Sequence, residues 1–299
     1  MNVATKVDLP QPAAAPLANG TPLAAAPAMP RVIAIDSVRP PELVEDVVAA
    51  ATLKAGLSVR DMVIRGFLAG AFLGFATILA FTVRSQGLPA IVDALIFPCG
   101  FVLLALLGLE LVTGNFAILP VGVAARRVSF AGLLRNWTWV FAANLLGCVF
   151  FAVPAYLAMT SFGTTDGGPV AEIIRNVSVA KTATYTDLGA SGWLLAFVKG
   201  MLANWMVTVG AMMLFISRST TGKVVTMWLP IMMFFALGYE HSVVNMFVVP
   251  AGMMLGAPVS FGDWWMWNQI PVTLGNIASG SVLTGLALYF TYKPKKVPS

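Results

Sequence analysis

Residues 66–83 (GFLAGAFLGFATILAFTV) run for eighteen positions without a charged side chain. An α-helix rises about 1.5 Å per residue, so a stretch of this length crosses roughly 30 Å of hydrocarbon. Comparable apolar stretches recur near 91–108, 137–159, 193–216, 224–237 and 270–292, and together they predict six membrane-spanning helices. The start of the chain reads differently. Residues 1–39 are rich in Ala and Pro and hold no sustained apolar core. Such a segment buries too little surface to offset its ordering entropy, which predicts a disordered tail. Its prolines also interrupt the apolar run that a cleaved signal peptide needs. Pro40 and Pro41 then lead into ELVEDVVAAATLKAGL, where Leu43, Val47, Ala50, Ala51 and Lys54 recur at helical spacing behind first-turn acids. That pattern predicts a short amphipathic helix on the membrane surface. The expected organisation is a tail over 1–39, an interfacial helix over 40–61, a membrane domain over 62–292 and a basic tail over 293–299.

Two of the predicted spans are interrupted, and the interruptions match. ELVTGNFAILP (110–120) and EHSVVNMFVVP (240–250) share Glu110/Glu240, Asn115/Asn245 and Pro120/Pro250 at an offset of 130. Around them, Arg65, Gly66 and Ala69 face Lys199, Gly200 and Ala203 at 134, while Asn136 and Asn144 face Asn268 and Asn276 at 132. In the second span Thr113, Gly114 and Asn115 favour a turn, so the helix is expected to stop near Gly108 and restart near Gly114. The fifth span is expected to stop at Gly238 and restart with EHSVVNMF (240–247). Irregular backbone survives in a bilayer only where it is buried in protein or lines a cavity, so matched breaks predict a central pathway.

Charge sets the orientation. The chain is 58% hydrophobic and only 10% charged, far below the charged fraction of a soluble domain. Arg126, Arg127, Arg135, Arg218, Lys223 and the C-terminal lysines cluster on one set of connections, against Arg84, Arg175 and Lys181 on the other. The positive-inside rule therefore predicts both termini in the cytoplasm. Six spans with both ends inside form two three-span halves, the second inverted because three is odd. The net charge of +5 is dispersed, which gives no nucleic-acid footprint. Cys99 and Cys148 fall inside predicted spans and read as packing. With one histidine in the chain, no site needing two is open to it, and no metal or cofactor is expected. HExxH, GxSxG and P-loop motifs are missing from the sequence, so an enzyme is not expected.

The candidate chemistry gathers at the breaks. His241 sits between Glu240 and Ser242, and an ionisable group at membrane depth points to function; a neutral, hydrogen-bonded packing role is the alternative. Glu110 and Glu240 are expected to cap the restarting helices by accepting from free backbone N–H groups. Asn115, Asn144, Asn245 and Asn276 are expected to satisfy orphaned backbone or to bond across helices. Phe97, Phe101 and Phe234 precede the breaks, where aromatic rings could form dry constrictions; core packing is the alternative. Gly66, Gly70 and Gly74 read as close helix packing. Lys54 and Lys181 are placed just outside opposite membrane faces, where positive charge would concentrate anions. Lys199, six residues into the predicted fourth span, is expected to snorkel.

ELVTGNF, KGMLANWMV, GYEHSVVNMFVVP and NQIPVTLGNIASG, in that order, resemble the formate/nitrite transporter family over about residues 40–292. The resemblance implies an all-α, aquaporin-like fold of two inverted three-helix repeats with broken second and fifth helices, assembled as a homopentamer with one pore per subunit. It implies that His241 is the central pore histidine, Asn204 the asparagine that holds it and Thr113 the threonine of the second-span break. Phe97 and Phe234 match aromatic constriction residues. Phe101 stands where relatives often place leucine and Val112 where many place phenylalanine, so the gate differs in width. Lys54 and Lys181 resemble the inner and outer vestibule lysines, the stretch from Lys181 to Gly200 being several residues longer than usual. The implied substrates are small monovalent anions such as formate, nitrite, lactate or hydrosulfide, moved with a proton across the inner membrane. A neutral-solute channel is the competing transport reading; Asn115-Phe116-Ala117 resembles the NPA box only faintly. A membrane scaffold or sensor is the competing reading from another class.

Overall fold

The structure, a computed structural model, describes residues 36–293. The Ala/Pro-rich tail up to residue 35 and residues 294–299 lie outside the described residues. Every regular element among the described residues is helical. In chain order these are α1 (Pro40–Ala55), α2 (Val59–Arg84), α3 (Ala90–Ile96), α4 (Pro98–Leu106), α5 (Val112–Ala124) and α6 (Phe130–Met159). They are followed by α7 (Gly168–Ala180), α8 (Ala183–Asp187), α9 (Ala190–Met213), α10 (Thr220–Ala236), α11 (Ser242–Met254) and a last run, α12 (Phe261–Tyr292), which includes π turns at Trp265–Gln269 and Ser279–Leu286.

Local chemistry explains the starts. Ser58, Ser129 and Ser219 each accept a backbone N–H from the first turn of α2, α6 and α10. Ser260 and Asp263 form a reciprocal capping box at the start of α12.

Four helices, α2, α6, α9 and α12, are long and apolar enough to cross a membrane. The stretches near 91–108 and 224–237 instead belong to shorter apolar helices, each followed by another across a non-helical connection. Gly108 and Gly238 both take φ +64° there, a left-handed conformation that a side chain resists, and the chain resumes helix at Val112 and Ser242.

α2 lies against α6, and α9 against α12, close enough for backbones to touch. A Cβ on Gly147 would collide with the Phe67 carbonyl, and one on Gly275 with the Phe197 carbonyl. Small residues allow this approach, and apolar packing with interhelical hydrogen bonds holds it where water supplies no driving force. The distribution of polarity follows. Phe75, Leu146, Phe150 and Leu194 are exposed, whereas Asn115, Asn136, Asn144, Asn204, Asn245, Asn268 and Asn276 are buried.

α1 and α7 bury the same pattern of positions. α1 does not merely lie on a surface: Val44, Val47 and Ala51 are buried against α5. In the stretch 160–192, which the sequence presented as a connection, α7 buries Ala171, Ile174 and Ser178, the same three positions at an offset of 127, and packs on α11. Upstream of α1, Ser37 bridges Ser217, and the Asp36 carboxylate accepts from the N–H groups of Arg218 and Ser219.

Candidate functional site

The connections 107–111 and 237–241 leave helix-end N–H and carbonyl groups that need partners inside an apolar bundle. Asparagines reaching in from α6 and α12 supply them. Asn144 Oδ1 accepts from Val112 N–H at 2.9 Å while its Nδ2 donates to the carbonyls of Gly66 (2.8 Å) and Glu110 (2.9 Å). Asn276 repeats the arrangement on Ser242 N–H (3.0 Å), Gly200 (2.7 Å) and Glu240 (3.2 Å). A single amide thus meets one N–H and one carbonyl of each break and ties them to the carbonyl of a neighbouring helix, Gly66 in α2 or Gly200 in α9.

The glutamates do something else than the sequence suggested. Among the described residues, neither carboxylate accepts from a backbone N–H group. Glu110 accepts from Lys54 Nζ at 2.7 Å and Asn115 Nδ2 at 2.8 Å. Glu240 accepts from Lys181 Nζ at 2.8 Å, Asn245 Nδ2 at 2.8 Å and the Tyr185 hydroxyl at 2.7 Å. Asn136 and Asn268 close each cluster by accepting from Asn115 and Asn245 and donating to the carbonyls of Lys54 and Lys181. A nearby ammonium outcompetes helix-end amides for a buried carboxylate because it also cancels the carboxylate's charge, which a neutral amide does not.

His241 is buried and stands immediately ahead of α11 as its cap. Its Nδ1 accepts from Val244 N–H at 3.2 Å, which leaves the ring proton on Nε2, 2.9 Å from Thr113 Oγ1. Asn204 makes no hydrogen bond to the histidine. It donates to the carbonyls of Thr113 (3.1 Å) and Asn276 (2.7 Å), so it holds the backbone of the residue that holds the ring.

Two cavities flank this centre. One, of about 260 Å³, is lined by Lys54, Phe101, Glu110, Leu111 and Asn115 among others. The other, of about 220 Å³, is lined by Lys181, Tyr185, Lys199, Phe234, Glu240 and His241 among others. Between them runs a seam walled by Leu73, Phe97, Phe101, Leu111, Val207, Ile231, Phe234, His241 and Val244, with no space for a water-sized sphere. The seam shares Phe101 and Leu111 with the first cavity and Phe234, His241 and Val244 with the second. Phe97 meets Phe234 edge-on at 5.7 Å and stacks on Phe235 at 4.0 Å, and Phe234 lies 5.5 Å from the imidazole.

The structure therefore gathers Phe97, Phe101, Phe234 and His241 in one wall and places Lys54 and Lys181 at the two cavities. Thr113 and Asn204 stand behind that wall. Val112 is fully buried but is not in it; its neighbour Leu111 takes the place. Leu111 carried a signal, since the offset of 130 that pairs Glu110 with Glu240 also pairs Leu111 with His241. Lys199 is ten residues into α9 and lines the Lys181 cavity, where snorkelling outward was expected.

Comparison with known proteins follows the same outline. The sequence profile of the family described as formate/nitrite transporter matches residues 41–290. A probable formate transporter of Methanothermobacter thermautotrophicus is 35% identical over 261 residues, covering 82% of this chain and 93% of that protein. Among solved structures, an FNT family ion channel aligns with a TM-score of 0.73 at 29% identity, over 85% of this chain and 99% of its own. A pentameric formate channel with formate bound aligns with a TM-score of 0.64 at 28% identity, over 78% and 97%.

Proposed function

The chain belongs to the formate/nitrite transporter family, and on that premise we propose that it carries small monovalent anions of weak acids, formate foremost, across the inner membrane. The observation that supports this most directly is the dry seam between two lysine-bearing cavities, with one imidazole in its wall. Six spans form two inverted repeats, with α3–α5 and α10–α11 as the broken second and fifth spans. The duplicated lysine–glutamate–asparagine clusters favour this arrangement, because an accidental resemblance would not reproduce the lysine–glutamate, asparagine–glutamate and asparagine–asparagine bonds together. Both termini are cytoplasmic, so the Lys54 cavity faces inward and the Lys181 cavity outward. The protein works as a homopentamer with one pathway per subunit; the aligned formate channel is itself pentameric. Catalysis is not part of this reading.

Passage is proton-linked. Desolvating a bare carboxylate in a seam that excludes water is costly, and adding a proton removes that cost. His241 is the group placed to exchange it. Its resting state is neutral because Nδ1 accepts from Val244. Loading the ring to imidazolium turns Nδ1 into a donor and releases that cap bond, so protonation and the start of α11 are tied together. Thr113 fixes the Nε2 side of the ring, and Asn204 fixes Thr113.

The test is formate flux into liposomes across a pH series, with wild type and His241→Phe. Wild type is expected to move formate faster as pH falls, and His241→Phe to lose that dependence. A variant whose pH profile matches wild type removes the histidine from the proton step. Osmotic swelling by neutral solutes without any pH effect would favour a water- or glycerol-type channel.

A further inference from the structure

Three cationic side chains reach the Lys181 cavity: Lys181, Arg84 and Lys199. Two of them have counter-ions. Lys181 pairs with Glu240 and Arg84 with Asp93. Lys199 has no carboxylate within 4.0 Å among the described residues; its Nζ instead faces the ring of Tyr185, 5.8 Å from the centroid. That ring is fixed, since its hydroxyl donates to Glu240. The backbone of Lys199 is fixed too, its carbonyl accepting from Glu240 N–H at 3.3 Å. The opposite cavity has a single cation, Lys54, and Glu110 neutralises it. Arg65, the counterpart of Lys199 at the offset of 134, does not line it.

One cavity thus carries an uncompensated positive charge and the other does not. A half-buried ammonium held by an aromatic face and lacking a carboxylate is an unfilled half of an ion pair. We propose that Lys199, backed by Tyr185, forms an anion-docking subsite in the Lys181 cavity, ahead of the seam, that takes a monovalent carboxylate before it reaches His241. This rests on the anion-pathway reading above. It moves the recruiting charge from Lys181, whose ammonium is occupied by Glu240, to Lys199. It also makes the two faces unequal, with dilute anion captured from the Lys181 face.

The experiment uses the full-length protein in membrane vesicles of both orientations, with initial formate uptake measured against formate concentration for wild type, Lys199→Gln and Lys199→Arg. At cavity distances and an intermediate dielectric, removing one charge is expected to raise the half-saturating concentration about three- to tenfold on the Lys181 face. The Lys54 face should change far less, and Lys199→Arg should restore the wild-type value. Equal shifts on both faces, or Gln and Arg variants that behave alike, overturn the subsite while leaving the pathway intact. Wild-type vesicles that carry no formate overturn the pathway reading itself, and the subsite with it. Salt dependence of wild-type uptake decides the matter without any variant: a steeper fall with ionic strength on the Lys181 face supports the subsite, and equal slopes sink it.

Discussion

The break before α5 and the break before α11 share a framework and differ in what they present. Each has a left-handed glycine, a buried glutamate held by a lysine, and an asparagine from a neighbouring helix that closes the backbone. Leu111 and His241 then occupy the same place, both extended (φ −111° and −115°) and both immediately ahead of a helix. Two positions on, Thr113 stands opposite Val243. Since His241 reaches across to Thr113, one diagonal of the centre is polar, while Leu111 and Val243 make the other apolar. The two breaks share a scaffold and differ in a few side chains on one diagonal.

The shared framework is where the largest effects are expected. Replacing Glu110 or Glu240 by Leu strands a lysine and an asparagine, which should cost about 3–5 kcal/mol, as for other broken buried pairs. Glu240→Leu should be the worse of the two, because the Tyr185 hydroxyl also loses its acceptor. Thermal unfolding of the detergent-solubilised protein checks both; a loss confined to one half would break the equivalence. Next in size are Asn144→Ala and Asn276→Ala, each leaving a helix-start N–H and the carbonyl of Glu110 or Glu240 unmet, at about 1–3 kcal/mol per unmet group in the worst case. Their melting temperatures should fall together.

The polar diagonal answers to Thr113→Val, which makes that corner resemble Leu111 and Val243. The Nε2–H loses its acceptor, for about 1 kcal/mol of stability, and the pH profile of formate flux should move although the histidine remains. An unchanged profile would reduce Thr113 to packing.

The smallest effect concerns the lead-in to α1, which the lead-in to α7 does not share. Asp36 clasps the 217–219 loop, and its carboxyl is held below the usual aspartate range chiefly by the Ser219 N–H, with the Ser217 hydroxyl next. A lowered folded pKa contributes stability above the unfolded value and loses it as pH falls through the folded one. The clasp should therefore open only below about pH 4, seen as a loss of hydrogen-exchange protection at the Ser219 amide that Asp36→Asn brings on at neutral pH.

Much of this was readable from residue spacing. The offsets near 130 located both breaks and the four asparagines beside them, and the lone histidine stood out because ionisable groups are rare at that depth. What escaped depends on distance in the chain. A glutamate next to a helix start reads locally as a cap, but Lys54 and Lys181 come from more than fifty positions away and take its charge. Likewise α7 sits in a segment that reads as a connection between spans, although Ala171, Ile174 and Ser178 keep the helical spacing of Val44, Val47 and Ala51. Val112 and Leu111 are both apolar neighbours; which one faces the seam is decided by the extended backbone just before the helix, and composition does not record that.

The seam without room for a water molecule has an electrical consequence. Hydronium moves fastest along a file of linked solvent, and metal ions travel wearing their hydration shells; a gap in the file stops both. On the proton-linked reading, a membrane crowded with such proteins would keep its voltage and its sodium gradient, and would spend its proton gradient only by the one proton each acid carries, so the conduit need not be shut by a lid to avoid an ion leak.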